Sequence, residues 1–118
     1  MNFDKPIYVQ IADFVENEII TGKLNPGEAS PSTNELSRLF NINPATAGKG
    51  LQLLVDEEIL FKKRGIGMIV TDDAKQIAIE KRKNDFFENT IPLLRSEMNR
   101  LGLDIEEVIE KLKEDKNA

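Results

Sequence analysis

Apolar and polar residues alternate with a helical period over the first third of the chain. An apolar stripe with spacings of four predicts a first helix from about residue 7 to residue 21, and it consists of Ile7, Ile11, Val15 and Ile19. Ser32 and Glu35 have the spacing of a capping box, so a short second helix is expected to begin at Ser32 and to end near Asn41. Its expected buried residues are Leu36, Leu39 and Phe40.

A third helix is expected almost immediately after the second. Asn43 suits the N-cap position and Pro44 the first helical position. An apolar face then continues to about Glu57, through Ala47, Leu51, Leu54 and Val55. Two helices separated by a connection this short have the spacing of a helix-turn-helix unit.

Between residues 59 and 70 the helical period disappears. Two short apolar runs, residues 59–61 and 68–70, flank the segment Lys-Lys-Arg-Gly-Ile-Gly at residues 62–67. This pattern predicts a β-hairpin with a basic tip. Helix, turn, helix, turn, helix and hairpin is the order of a winged helix-turn-helix.

The chain after residue 70 is expected to be helical again. From Phe87 onward, apolar residues follow a heptad-like spacing that favours helix–helix pairing. Pro92 interrupts this helix and predicts a kink or a fresh start near residues 89–91. Gly102 ends it, and Asp104 with Glu107 forms a second capping box before a last helix. The fold class is therefore mainly α with a small β-hairpin: a winged helix-turn-helix over residues 1–71 and a two-helix extension over residues 72–118.

Composition narrows the function classes. The 118 residues contain no cysteine, histidine or tryptophan. Thiolate and histidine metal sites, Ser-His-Asp triads and cysteine nucleophiles are therefore excluded. An enzyme would need a carboxylate pair or an activated lysine, and no spacing indicates one, so we expect neither an enzyme nor a cofactor. No apolar run is long enough to span a membrane and no signal core begins the chain, so a cytoplasmic location is expected.

The net charge of −5 at first argues against nucleic acid, which usually contacts a basic face. Residues 30–70, however, hold five basic and four acidic residues, and the cations cluster at Lys49 and at the predicted hairpin tip. The sequence thus predicts a locally basic edge on an acidic body, with binding that depends strongly on salt.

Several motifs in the first 70 residues resemble one known family. They are Pro6-Ile7-Tyr8, Gly22-Lys23-Leu24-x-Pro26-Gly27, Pro31-Ser32-x-x-Glu35-Leu36 and Lys63-Arg64-Gly65-x-Gly67. Together they resemble the DNA-binding domain of the GntR family of bacterial transcription regulators, and the short extension resembles the YtrA-type subfamily. The resemblance implies a homodimeric repressor of an inverted-repeat operator that lacks a large effector domain and often controls an ABC-transporter operon.

Site residues follow from the same resemblance, position by position. The expected DNA contacts are Ser32, Thr33, Asn34 and Arg38 in the second helix, Asn43, Ala45, Thr46 and Lys49 in the third, and Lys62, Lys63, Arg64, Gly65 and Gly67 in the hairpin. The expected dimerisation residues are Phe87, Ile91, Leu94, Met98, Leu101, Ile105, Val108, Ile109 and Leu112.

The sequence departs from the family pattern at a few positions. Asn34, Pro44 and Gly48 stand where the family often has arginine, so hydroxyl and amide groups are expected to contribute more to DNA contact here. Glu58 stands where glycine is common, and it is strained by roughly 1 kcal/mol if that position needs a positive φ.

Two alternatives remain open at this point. Arg38 contacts phosphate or pairs with an acidic neighbour. The whole unit is an operator-binding regulator, whose partners are double-stranded DNA and a second copy of itself, or a winged-helix module that binds another protein without specific DNA binding.

Overall fold

A computed structural model describes residues 5–114 of the chain. The elements are α1 (Ile7–Ile20), α2 (Thr33–Phe40), α3 (Pro44–Asp56), β1 (Leu60–Lys63), β2 (Gly67–Val70), α4 (Ala74–Asp85), a π-helical turn (Phe86–Thr90), α5 (Ile91–Leu101) and α6 (Ile105–Lys113). The predicted fold class, mainly helical with one antiparallel hairpin, is confirmed. Within the described residues, none of the helices has the length and apolar character needed to cross a membrane.

The chain forms two compact units, one up to Lys81 and one from Arg82 onward. The predicted division after residue 71 lies earlier, because the first turns of α4 belong to the first unit. Ala74 and Ala78 on those turns are completely buried in its core. Whether the functional domains divide at residue 71 stays a prediction.

The core of the first unit is built from one face of each helix and the inner side of the hairpin. Its largest buried side chains are Ile11, Ile19, Leu36, Leu51, Leu54, Ile59 and Leu60. The helical spacing predicted most of this face, but the prediction for Leu39 is wrong, since 65% of that residue is exposed. Phe40 packs inward instead, edge-to-face on Phe14 at 5.0 Å between ring centroids.

Local signals fix the ends of α2 and α3. The Ser32 hydroxyl accepts a hydrogen bond from the Glu35 N–H, and the Glu35 carboxylate accepts one from the Ser32 N–H, as the capping box predicts. Asn43 caps α3 through its side-chain oxygen, which lies 2.8 Å from the Ala45 nitrogen. Between the two helices, Asn41 adopts a left-handed conformation with φ of 54°, which asparagine tolerates better than most residues.

The hairpin pairs β1 with β2 in the antiparallel register Leu60↔Val70 and Lys63↔Gly67. A segment just before α2 adds to it: Ala29 forms a bridge with Ile69, and the Ser30 N–H donates to the Met68 carbonyl at 2.8 Å. Nothing in the local pattern of that segment predicted a strand, but its backbone hydrogen bonds fix the hairpin against the start of α2.

Pro92 changes the helix type in the second unit. Proline has no N–H to donate to the carbonyl four residues back. The preceding turn, Phe86–Thr90, is π-helical, and the Ile91 N–H donates to the Phe86 carbonyl five residues back. α5 begins at Ile91 without a break in the helical backbone, since Thr90 and Ile91 both have right-handed helical torsions, so the interruption near residues 89–91 is a change of helix type.

The described part of the second unit, residues 82–114, contains no buried residue. α5 ends at Gly102, which is left-handed with φ of 66°, and α6 begins at the predicted capping box of Asp104 and Glu107. The expected dimerisation residues all lie in this unit, and three of them are more than 60% exposed: Phe87, Leu101 and Leu112.

Candidate nucleic-acid interface

The N-terminus of α2 presents several expected DNA contacts. Ser32 and Asn34 are exposed there, and Thr33 is half-buried. The Ser32 oxygen accepts a hydrogen bond from the Glu35 N–H, and the Ser32 hydroxyl in turn lies against the Glu35 carboxylate. A helix N-terminus attracts phosphate because its first N–H groups point outward. The Thr33 hydroxyl, the Asn34 amide and the first N–H groups of α2 are therefore placed to donate to a DNA backbone.

Glu35 lies close to the same helix end. The backbone N–H and the hydroxyl of Ser32 hold the pKa of Glu35 below its usual range, and the positive charge of Arg38 acts in the same direction. Within the described residues Arg38 forms no salt bridge, so its exposed guanidinium keeps its donors. The Glu35 carboxylate caps α2, and the Arg38 guanidinium can still donate hydrogen bonds to phosphate.

The first turns of α3 carry the next group of expected contacts. Asn43 uses its side-chain oxygen as the cap of α3, which leaves its amide N–H groups as donors. Asn43 and Ala45 are exposed and Thr46 is half-buried. Further along, Gly48 faces Thr33: a Cβ added at Gly48 would lie 3.8 Å from the Thr33 hydroxyl oxygen. The start of α2 and the middle of α3 are thus neighbours.

Lys49 is the cation on α3, and it is exposed. Its Nζ lies 4.2 Å from the centroid of the Tyr8 ring in α1. Sequence reasoning missed this contact, because 41 positions separate Tyr8 from Lys49 and no local pattern connects them. On α3, Gln52 donates to Asp56 at 2.9 Å, which directs its amide toward the far end of the helix.

The tip of the hairpin is exposed from Phe61 to Gly67. The Ile66 N–H donates to the Lys63 carbonyl at 3.0 Å and closes the turn. Gly65 and Gly67 have φ angles of 79° and 126°, which residues with a Cβ rarely adopt. Within residues 5–114, neither Lys62 nor Lys63 nor Arg64 forms an ion pair with a carboxylate.

The acidic residues at the other end of α3 are held by a different contact. Lys81 in α4 lies 2.8 Å from the carboxylate of Glu57 and 2.8 Å from that of Glu16, which is 1% exposed. Burial alone would lower the pKa of Lys81, but the two carboxylates outweigh it and raise that pKa above its usual value. This network neutralises acidic charge inside the first unit, while the hairpin cations have no carboxylate partner among residues 5–114.

No group of side chains in the described part of the chain is arranged to hold a metal ion. The expected DNA contacts fall on three elements of one compact unit: the start of α2, the start and middle of α3, and the hairpin tip. These residues present hydroxyl, amide and cationic hydrogen-bond donors, and phosphate oxygens and base edges accept hydrogen bonds from such donors.

Comparison with known proteins covers the same region. Residues 7–70 match the family described as bacterial regulatory proteins, gntR family. The HTH-type transcriptional repressor YtrA of Bacillus subtilis is 29% identical over 109 residues, which are 92% of this chain and 83% of YtrA. The mannosyl-D-glycerate transport/metabolism system repressor MngR of Escherichia coli is 36% identical over 69 residues, which are 58% of this chain but 29% of MngR. The chain thus spans most of YtrA and less than a third of MngR.

Solved structures extend the similarity to the fold. A GntR family transcriptional regulator from Listeria monocytogenes has a TM-score of 0.75 and 32% identity, with 98% of this chain and 100% of that chain covered. BusR of S. agalactiae, solved in complex with its busA-promotor DNA, has a TM-score of 0.64 and 30% identity over 89% of this chain and 52% of BusR. The relatives named here are transcription regulators and not enzymes.

Proposed function

The chain belongs to the GntR family of bacterial regulatory proteins and is a DNA-binding transcription regulator, and from this premise we propose that it is a homodimeric repressor of an inverted-repeat operator. α3 enters the major groove, the start of α2 contacts the backbone, and the hairpin tip supplies cations to phosphates beside the groove. B-DNA's major groove is about 12 Å wide and admits one helix.

The unpaired cations of the hairpin tip are the observation that carries the DNA-contact proposal. Lys62, Lys63 and Arg64 are exposed and have no carboxylate partner within the described residues. In a chain of net charge −5, a cationic cluster that has no carboxylate partner within the described residues is expected to bind an anionic group of another molecule. Each phosphate that it neutralises releases counterions, so binding should weaken as salt rises.

The exposed apolar residues of the second unit support the homodimer. Phe87 is 67% exposed, Leu101 62% and Leu112 74%. Short helices that bury no residue of their own gain little stability alone, because most helical stability in proteins comes from packing an apolar face. A second copy would cover these residues in α5, α6 and the π-helical turn, and its two-fold symmetry would place two copies of α3 on an inverted repeat.

The repressor role and the target are supported by the relatives. YtrA and MngR are both described as repressors, and the resemblance to the YtrA type points to an ABC-transporter operon. We expect a regulator of this kind to act in the cytoplasm. Deleting the gene should raise transcription of its own operon, and a reporter fused to that promoter measures the change.

The experiment that tests the DNA contact is a fluorescence-anisotropy titration of the DNA upstream of the chain's own operon, repeated at several salt concentrations. The variant Lys62→Ala/Lys63→Ala/Arg64→Ala should bind more weakly. The negative slope of log affinity against log salt should become shallower by about 0.9 for each phosphate that the variant no longer neutralises. The control Lys23→Ala/Lys75→Ala/Lys83→Ala removes the same charge from the loop after α1 and from α4, outside the expected DNA and dimer contacts, and should leave the slope nearly unchanged.

Two results would contradict the proposal. If the wild-type protein causes no anisotropy change with this DNA at low salt, the chain does not act through an operator at these residues. If the hairpin variant binds and represses like the wild type, the hairpin is not a DNA contact, and the alternative of a winged-helix module that binds another protein gains support.

A further inference from the structure

α1 and α3 approach each other unusually closely beside the candidate interface. Gly50 is buried in α3, and a Cβ added there would lie 2.7 Å from the Tyr8 carbonyl oxygen and 3.1 Å from the Ile11 Cβ. Real Cβ atoms essentially never lie as close as 2.7 Å to another heavy atom, so only glycine permits this contact. The backbone of α3 therefore rests directly on the first turns of α1.

The close approach brings a tyrosine ring beneath a lysine. Lys49 directly precedes Gly50, and its Nζ lies 4.2 Å from the centroid of the half-buried Tyr8 ring. This distance is well inside the roughly 6 Å limit for a cation–π interaction. Within the described residues Lys49 has no carboxylate partner, so the ring restrains the ammonium without neutralising its charge.

A neutral restraint has a consequence for DNA binding that a salt bridge would not have. A carboxylate partner would compete with phosphate for the ammonium, whereas the ring face leaves available the N–H donors of Lys49 that point away from the ring. A free lysine side chain loses considerable rotamer freedom when it is fixed on a ligand. A lysine that is already held loses less, and the charge is presented from a defined point on α3.

We propose that Tyr8 is a positioning residue that holds the Lys49 ammonium, through its ring face, in the place from which Lys49 contacts DNA. The inference rests on the proposed function, because it takes Lys49 as a DNA contact. Gly50 is part of the same arrangement, since any larger residue there would separate α1 from α3 and draw the ring away from the ammonium.

The contact itself is tested first without DNA. A nearby aromatic ring shifts the NMR signals of the Lys49 ε-methylene protons upfield. The shift should be present in the wild type and in Tyr8→Phe, which keeps a ring, and absent in Tyr8→Leu. A wild-type spectrum without this shift would overturn the proposal whatever the protein binds.

The role is tested by a double-mutant cycle of Tyr8→Leu and Lys49→Met in the anisotropy assay. Tyr8→Leu should weaken binding roughly threefold to tenfold, because the Lys49 side chain must then be ordered when DNA binds, and Tyr8→Phe should bind like the wild type. In the Lys49→Met background, Tyr8→Leu should change the affinity no further. Thermal unfolding, followed by circular dichroism, checks that every variant is folded at the assay temperature.

Three outcomes of the cycle would overturn the proposal. If Tyr8→Phe binds as weakly as Tyr8→Leu, the hydroxyl acts and the ring face does not. If Tyr8→Leu has the same effect with and without Lys49, Tyr8 acts independently of the lysine. If Tyr8→Leu binds more tightly than the wild type, the ring keeps the lysine away from DNA. Failure of the wild type to bind any DNA would instead refute the proposed function, which separates the two failures.

Discussion

Glu58 offers a sharp test of the backbone reasoning, because it holds a conformation that suits glycine. It follows α3 with φ of 63°, in the left-handed region. Its N–H donates to the Val55 carbonyl at 3.0 Å, and its own carbonyl accepts a hydrogen bond from the Thr71 hydroxyl at 2.8 Å. Within the described residues its exposed side chain has no partner. Replacing Glu58 with glycine therefore keeps the backbone contacts and removes only the strained side chain.

The expected gain can be worked out from two opposing terms. A left-handed conformation costs a residue with a Cβ roughly 1–2 kcal/mol. Glycine loses more backbone freedom on folding, which takes back about 0.5–1 kcal/mol. Glu58→Gly should therefore raise the free energy of unfolding by about 0.5–1 kcal/mol. For a unit of this size, that corresponds to an increase in Tm of roughly 3–6 °C.

The assay is thermal unfolding followed by the fluorescence of Tyr8, the only tyrosine in a chain without tryptophan. Because Tyr8 lies in the first unit, the signal reports the unfolding of the unit that contains Glu58. Glu58→Ala is the matched control: it removes the same negative charge from the C-terminal end of α3 but keeps a Cβ, so any gain it shows is electrostatic. Equal stabilisation by alanine and glycine, or a loss of stability with glycine, would refute the strain argument.

Other predictions follow from the same packing and charges. Gly50→Ala should destabilise the first unit by about 1–3 kcal/mol, because its Cβ would meet the Tyr8 carbonyl at 2.7 Å; Gly48→Ala, with only a 3.8 Å contact, should not, and urea unfolding compares them. Lys81→Met should lower the free energy of unfolding by about 1–3 kcal/mol, because it leaves the buried Glu16 carboxylate without its partner. The expected loss is smaller than for a fully buried ion pair, because Lys81 is partly exposed to solvent. Since the pKa of Lys81 is raised above 10.5, this contribution should be constant at neutral pH and lost only as pH rises beyond that value; loss near neutral pH would contradict it. Because the pKa of Glu35 is lowered from 4.5, the wild type should have a higher Tm than Glu35→Gln above that pH. The difference in Tm should disappear as the pH falls below it, and Tm measured over a series of acidic pH values checks this.

Sequence reasoning succeeded where the determining interaction is local. The capping boxes at Ser32 and Asp104 and the cap at Asn43 join residues two or three positions apart, so their spacing alone predicts the helix starts. Gly102 likewise ends its helix in a left-handed conformation, as expected. The hairpin was also predictable, since glycines at its tip adopt positive φ values between two apolar runs.

The features that sequence reasoning missed join residues far apart in the chain. The bridge between Ala29 and Ile69 depends on hydrogen bonds across 40 positions, and residue 29 has no strand-like pattern of its own. The contact between Tyr8 and Lys49 depends on how closely α3 packs on α1. Gly50 allows this close packing, but a glycine in the sequence is not enough to predict it. The burial of Ala74 and Ala78 in the core of the first unit depends on distant residues in the same way, and the compact unit extends to Lys81.

The central claim is that two copies of this chain present α3 and the hairpin to an inverted repeat. Hydroxyl-radical footprinting on the DNA upstream of the chain's own operon tests it most directly. Two protected half-sites related by two-fold symmetry are expected, and they should disappear together in the Lys62→Ala/Lys63→Ala/Arg64→Ala variant at moderate salt. Protection of a single, unsymmetrical site, or a symmetrical footprint unchanged by that variant, would contradict it.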